Sequence, residues 1–218
     1  MSTEPIPPSE MNEEAKPPGQ AFWRRCPMTF WFVALLSLIY ALSSFPSGFQ
    51  KPADGFIILG GFYPPLVHQG EWWRYITATL LHANPMHWFN NIAGLLIFGN
   101  LLEPLLGAPL LFSLYLGSAV GGLWLSSLMM PKALTFGASA IDFGLVGAYL
   151  TLMLLARLQT NKAAFWKELR GALILSVIFV LWSITESATI NFWAHLGGLL
   201  TGIVFMLTLW TIRKRPAE

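Results

Sequence analysis

The chain has 218 residues, of which 55% are hydrophobic and only 11% charged, with a formal net charge of +2. A soluble domain carries roughly 25% charged residues, so this composition excludes an ordinary water-soluble globule and puts the chain in a lipid bilayer. The charge is small and forms no basic, aromatic-interleaved stripe, which argues against nucleic acid as a partner.

Taken in order, the first 22 residues are rich in Pro, Ser and Glu and offer little that could pack. Residues 1–27 are therefore expected to form a disordered cytoplasmic tail. The acidic opening does not match the basic and then apolar start of a cleaved signal peptide, so the first apolar segment is expected to be retained. The single cysteine, Cys26, allows no disulfide within the chain.

Six spans follow from the charge-free intervals, near 28–45, 86–103, 108–129, 138–156, 171–186 and 191–212. A helix needs about 20 apolar residues to cross a hydrocarbon core of ~30 Å. The fifth interval is short, confined between Arg170 and Glu186, and should tilt or thin the bilayer. The expected fold is thus all-α, a polytopic membrane bundle of six transmembrane helices over 28–212, with a short cytoplasmic tail at 213–218. With the amino terminus inside, ten of the thirteen Lys and Arg residues fall inside, leaving only Lys51, Arg74 and Lys132 outside.

The longest connection, 46–85, is then outside. It is too apolar for a solvated loop, with Phe56, Ile57, Ile58, Phe62, Trp72, Trp73 and Tyr75, and belongs at the headgroup level. Gly60, Gly61, Pro64 and Pro65 interrupt it, which predicts short helical pieces.

Spans two, four and six all run from outside to inside, and each places unusual polar residues near its beginning. His87 follows Pro85, Ser139 follows Gly137, and His195 lies about four residues into its span. At ~1.5 Å per residue, all three sit within one or two turns of the outer face, and Asn91 lies one turn below His87 on the same helix face. A serine hydroxyl becomes a nucleophile when a base accepts its proton, and imidazole is the usual base. The tetrahedral oxyanion then needs fixed donors, for which His87, Asn91 and the Ser139 backbone amide are candidates. On span six, Gly198 and Gly202 form a GxxxG pair that would let helices approach closely, and Gly117 and Gly121 form another in span three. The remaining marked residues read as structural or interfacial: His68, His82, Trp72, Trp73 and Glu103, the last anchoring the inner end of span two.

Together these pieces resemble the rhomboid family of intramembrane serine proteases across about 28–212. The resemblance is carried by WWR at 72–74, HxxxN from His87 to Asn91, GxxxExxxG at Gly99, Glu103 and Gly107, GxS from Gly137 to Ser139, and AHxxGxxxG from Ala194 to Gly202. It implies a six-helix protease that cleaves transmembrane protein substrates near the outer membrane face, without metal or organic cofactor. By motif match Ser139 and His195 form a catalytic dyad. His87 and Asn91, with Gly137 and Ala138 beside the nucleophile, belong to the oxyanion and substrate-binding set. The family's fifth span and active-site cap, associated with substrate access, correspond to 171–186 and the segment near 187–190. The short tail resembles bacterial members and implies the bacterial inner membrane.

Two residues depart from the family pattern. Ala140 stands where GxSG has its second glycine, adding a methyl group, and Phe143 stands where a tyrosine is frequent. They motivate an alternative reading, a catalytically inactive rhomboid-like protein that binds transmembrane helices and steers their trafficking or degradation. A solute transporter would need polar residues along the whole bundle, whereas these cluster at one face.

Asp142 is unusual for a membrane span, where a carboxylate costs about 2.5–3.5 kcal/mol on insertion scales. It should face the bundle and find a partner, either orienting His195 or bonding helix to helix. Its position, one turn deeper than Ser139 and rotated by about 60°, favours the second role.

Overall fold

The computed structural model describes residues 21–44, 53–156, 170–171, 173–181 and 191–213. Among these the regular elements are helices, and the chain is an all-α membrane bundle. The principal helices are α1 (Pro27–Ser44), α2 (Pro85–Leu106), α3 (Ala108–Met129), α4 (Ser139–Ala156), α5 (173–181) and α6 (Phe192–Arg213). Four of them, α1, α2, α3 and α6, are long and apolar enough to cross a membrane by length and composition. Residues 172 and 182–186 of the expected fifth span, and the cap near 187–190, lie outside the described residues.

Helix α4 is the centre of the bundle. Residues 140–148 are buried without interruption, so this helix shows no solvent- or lipid-facing stripe over that stretch, as expected of a helix enclosed on all sides. It packs most closely against α6, and α6 in turn against α3. The approach is close because of glycine: a Cβ on Gly198 would collide with the Ala140 carbonyl oxygen, and one on Gly202 with that of Gly144. Helix α1 is peripheral. Trp31, Leu35, Leu38 and Leu42 recur along one exposed face, which in this composition is turned to lipid, while Leu36 and Tyr40 are buried.

The end of the bundle opposite Ser139 is tied by Glu103. Its carboxylate accepts hydrogen bonds from the backbone N–H of Met28 (2.7 Å) and Thr29 (2.9 Å) and from the Thr29 hydroxyl (2.7 Å). These are orphan donors of the first turn of α1, and a carboxylate at a helix N-terminus also complements its dipole. The segment expected as a tail is described only from residue 21, where Phe22–Arg25 forms one helical turn and Cys26 is buried.

At the other end, the 46–85 connection consists of short pieces: Ala53–Ile58, Pro64–Val67, Arg74–Thr77 and a 3-10 turn, Ala78–Leu80. Arg74 holds them together. Its guanidinium donates to the carbonyls of Ile57 and Gly61, both at 2.8 Å, and pairs with Glu71. Trp72 and Trp73 remain exposed, as aromatic residues at the headgroup level do.

Helix α2 is not uniform. Asn84 caps it, accepting from the His87 N–H at 2.8 Å, with Pro85 in the first turn. One turn past Asn91 it widens into a π turn over Leu95–Gly99 before resuming at Asn100–Leu106.

Candidate active site

Ser139 is the first residue of α4, and the segment before it is held from two sides. On one side Phe62 and Thr135 exchange backbone hydrogen bonds of 2.9 Å, the Gly137 N–H donates to Ala78 O at 2.9 Å, and the Phe56 and Phe136 rings stack at 4.0 Å. On the other, the Asn191 side chain donates to Thr135 Oγ1 (2.8 Å) and Ser126 Oγ (2.6 Å). The same side chain accepts from the Ala194 N–H at 3.1 Å, capping α6. Asn191 therefore fixes the helix carrying His195 to the strand-like segment leading to Ser139. Sequence reading passed over it, although an Asn four residues before His195 at a span start is a capping signal.

Ser139 and His195 meet. His195 Nε2 lies 2.9 Å from Ser139 Oγ, within hydrogen-bond distance. Both are half-buried, so the pair is neither sealed in the core nor freely exposed. Phe143 lies flat against the imidazole, with centroids 4.2 Å apart and an angle of 11° between planes. The stack covers one ring face and limits the rotation of His195 about its side chain.

His87 is placed over Gly137. A Cβ on Gly137 would fall 2.6 Å from His87 Nε2, and Gly137 has φ +113°, a conformation that side chains disfavour. Glycine is required there both by the backbone and by the ring above it. His82 packs edge-on against His87 at 5.2 Å. Asn91 is buried and its Nδ2 donates to His87 O at 2.7 Å, which leaves its second amide hydrogen available. Ala138, next to Ser139, is fully buried.

Ala140 does not separate α4 from α6. Its methyl group points at α3, where a Cβ on Gly122 would meet it at 2.7 Å. The extra volume is taken up over Gly122, and the 2.9 Å contact between Ser139 and His195 is kept. Gly122 lies outside the Gly117/Gly121 pair noticed in the sequence.

Asp142 faces the bundle but not the dyad. It is 1% exposed, its Oδ1 has no hydrogen-bond partner among the described residues, and it lies against Gly94 of α2. The partner expected for it is absent among these residues, and no hydrogen bond joins it to His195.

Comparison with known proteins bears on the family of the chain. The sequence model of the Rhomboid domain matches residues 69–212. RHOMBOID-like protein 6, mitochondrial, of Arabidopsis thaliana is 37% identical over 138 residues, 63% of this chain and 43% of that protein. Rhomboid-like protease 3 of Toxoplasma gondii is 27% identical over 177 residues, 81% of this chain and 66% of that protein. The chain thus spans less than two thirds of either relative. YdcA of Bacillus subtilis (strain 168) is 31% identical over 201 residues, 90% of this chain and 94% of that protein. With its bundle and most of its length matched, the chain belongs to the rhomboid family.

Proposed function

We propose that the chain is an intramembrane serine endopeptidase that hydrolyses peptide bonds in or near transmembrane helices of other membrane proteins. The observation that carries this reading is the 2.9 Å contact between Ser139 Oγ and His195 Nε2 at one end of a lipid-embedded bundle. In the proposed reaction His195 Nε2 takes the hydroxyl proton as Oγ bonds to the scissile carbonyl carbon. The oxyanion is received by the Ser139 backbone N–H with Asn91 Nδ2 and His87, each such donor contributing ~3 kcal/mol. His195 then gives its proton to the leaving amine, the C–N bond breaks, and water hydrolyses the Ser139 ester by the reverse proton path. Phe143 holds the imidazole in place of a carboxylate, since Asp142 is turned away.

The substrate helix must unwind for its backbone to reach Ser139, which favours segments with Gly or Pro near the cut. Equal cleavage of a rigid poly-Leu helix would count against that preference. The rival reading, an inactive helix-binding protein, was motivated by Ala140 and Phe143. The methyl group packed over Gly122 and the ring stacked on His195 favour the protease reading over it. We propose six spans with both termini on the cytoplasmic side; the relatives come from mitochondria as well as bacteria, so the bacterial inner membrane expected from the short tail has no support.

The test is reconstitution of the purified chain in vesicles with a helical reporter substrate. Cleavage that disappears in Ser139→Ala supports the protease; stable substrate binding without cleavage by the unaltered chain supports the rival.

A further inference from the structure

Asp142 is a buried acceptor that the proposed chemistry does not use. Its surroundings are defined: a Cβ on Gly94 would lie 2.6 Å from Asp142 Oδ1 and 2.5 Å from Phe179 Cζ. The carboxyl group and the Phe179 ring therefore share the space that a side chain at 94 would fill. Phe179 is on the inward face of α5, is 3% exposed, and also packs against Phe98 and Phe143. The opposite face of α5 is turned outward, with Leu173, Ile174, Val177, Ile178 and Leu181 exposed. Phe179 is thus the cover of a seam between α2, α4 and α5.

That seam holds a second buried oxygen without a partner among the described residues, Ser176 Oγ, one turn from Phe179 on the same inward face. No hydrogen bond joins Asp142 Oδ1 to Ser176 Oγ, and Gly94, against which the carboxyl lies, has no side chain to donate one. A group that reaches the carboxyl past Phe179 would find an acceptor that no described residue satisfies.

We infer that Asp142 is a specificity-determining residue that accepts a hydrogen bond from a polar side chain of the substrate, located one or two residues to the membrane side of the scissile bond. The register follows from geometry. Asp142 is three residues beyond Ser139 on a helix running into the membrane, about 4.5 Å deeper. An unwound substrate advances about 3.3 Å per residue, so one or two residues cover that depth. The ligand class is a hydrogen-bond donor of modest size, such as Thr, Ser, Asn or Gln. This inference rests on the protease reading above.

The test uses the full chain in phospholipid vesicles and pairs of reporter substrates that differ only by Thr or Val, near-isosteric residues, at each of the first three positions on the membrane side of the cut. The expected result is a kcat/KM about tenfold higher for Thr at one of the first two positions, the size of one buried hydrogen bond. Asp142→Leu brings the Thr/Val ratio to about one, and Asp142→Asn, which keeps an acceptor oxygen, retains it. A ratio near one in the unaltered chain, or a ratio that survives Asp142→Leu, overturns the inference. Loss of the ratio in Asp142→Asn as well overturns the acceptor role. If Asp142 only complements the dipole at the start of α4, every ratio stays fixed and the inference falls. Labelling of Ser139 by a fluorophosphonate separates this from failure of the protease reading: a folded chain that neither labels nor cleaves overturns both.

Discussion

Glu103 and Asp142 are both buried carboxyl groups, 3% and 1% exposed, yet the two ends of the bundle treat them in opposite ways. At the end away from Ser139, Glu103 receives three hydrogen bonds from the first turn of α1, so both of its oxygens are partnered. Toward the other end Asp142 Oδ1 meets a glycine and a phenyl ring. The same chemical group serves as a clasp in one place and as an unmet acceptor in the other. The contrast extends to their neighbourhoods. The end carrying Glu103 joins helices by tight polar contacts, whereas the end carrying Ser139, besides the clasps of Arg74 and Asn191, keeps polar groups with hydrogen-bonding capacity to spare. The proposed chemistry would use such capacity to receive a transition state, while the end carrying Glu103 and the glycine-mediated core hold the helices.

Substitutions can break or sharpen this contrast. The largest effect is expected for Ser139→Ala, which should lower cleavage by about 10⁴-fold or more while leaving the thermal transition in detergent nearly unchanged. Glu103→Ala should do the reverse. It strands three donors and should cost about 2–3 kcal/mol in unfolding free energy, with turnover per folded molecule kept well below the transition. Loss of turnover at unchanged stability would erase the distinction between the two ends.

Asp142→Leu should raise stability by about 2 kcal/mol, opposite in sign to Glu103→Ala, because it removes an uncompensated carboxyl group. A comparable loss of stability would mean that Asp142 is partnered after all. Gly122→Ala should cost about 1–3 kcal/mol, since the new methyl would lie 2.7 Å from that of Ala140 and 2.6 Å from the Ala194 carbonyl. Because it pushes on both helices of the dyad, it should also lower kcat more than the stability change explains. The smallest effect is expected for Phe143→Tyr, within about threefold in kcat/KM, as the ring stacked on His195 is retained.

What was legible in the sequence is instructive. Ser139, His195, His87 and Asn91 stood out because lipid penalises polar groups, so each one needs a reason, and their common depth followed from helix rise alone. Gly198 and Gly202 stood out by spacing. The short pieces of the outer connection followed from its glycines and prolines. Tertiary features did not show. Arg74 gave no sign that it would bridge two carbonyls, because its partners Ile57 and Gly61 are backbone groups and carry no sequence signature. Gly122 was hidden because its role depends on where the Ala140 methyl points. The π turn at Leu95–Gly99 has no breaker residue to announce it beyond a glycine at its end. Asp142 was expected to find a partner because burial demands one; the described residues supply none to Oδ1.

The central claim is that Ser139 is a nucleophile activated by His195, and labelling with a fluorophosphonate serine probe tests it most directly. The unaltered, folded chain in detergent should label, and both Ser139→Ala and His195→Ala should not. Labelling that persists in either variant, or its absence from the folded unaltered chain when an active rhomboid labels in parallel, would contradict the account.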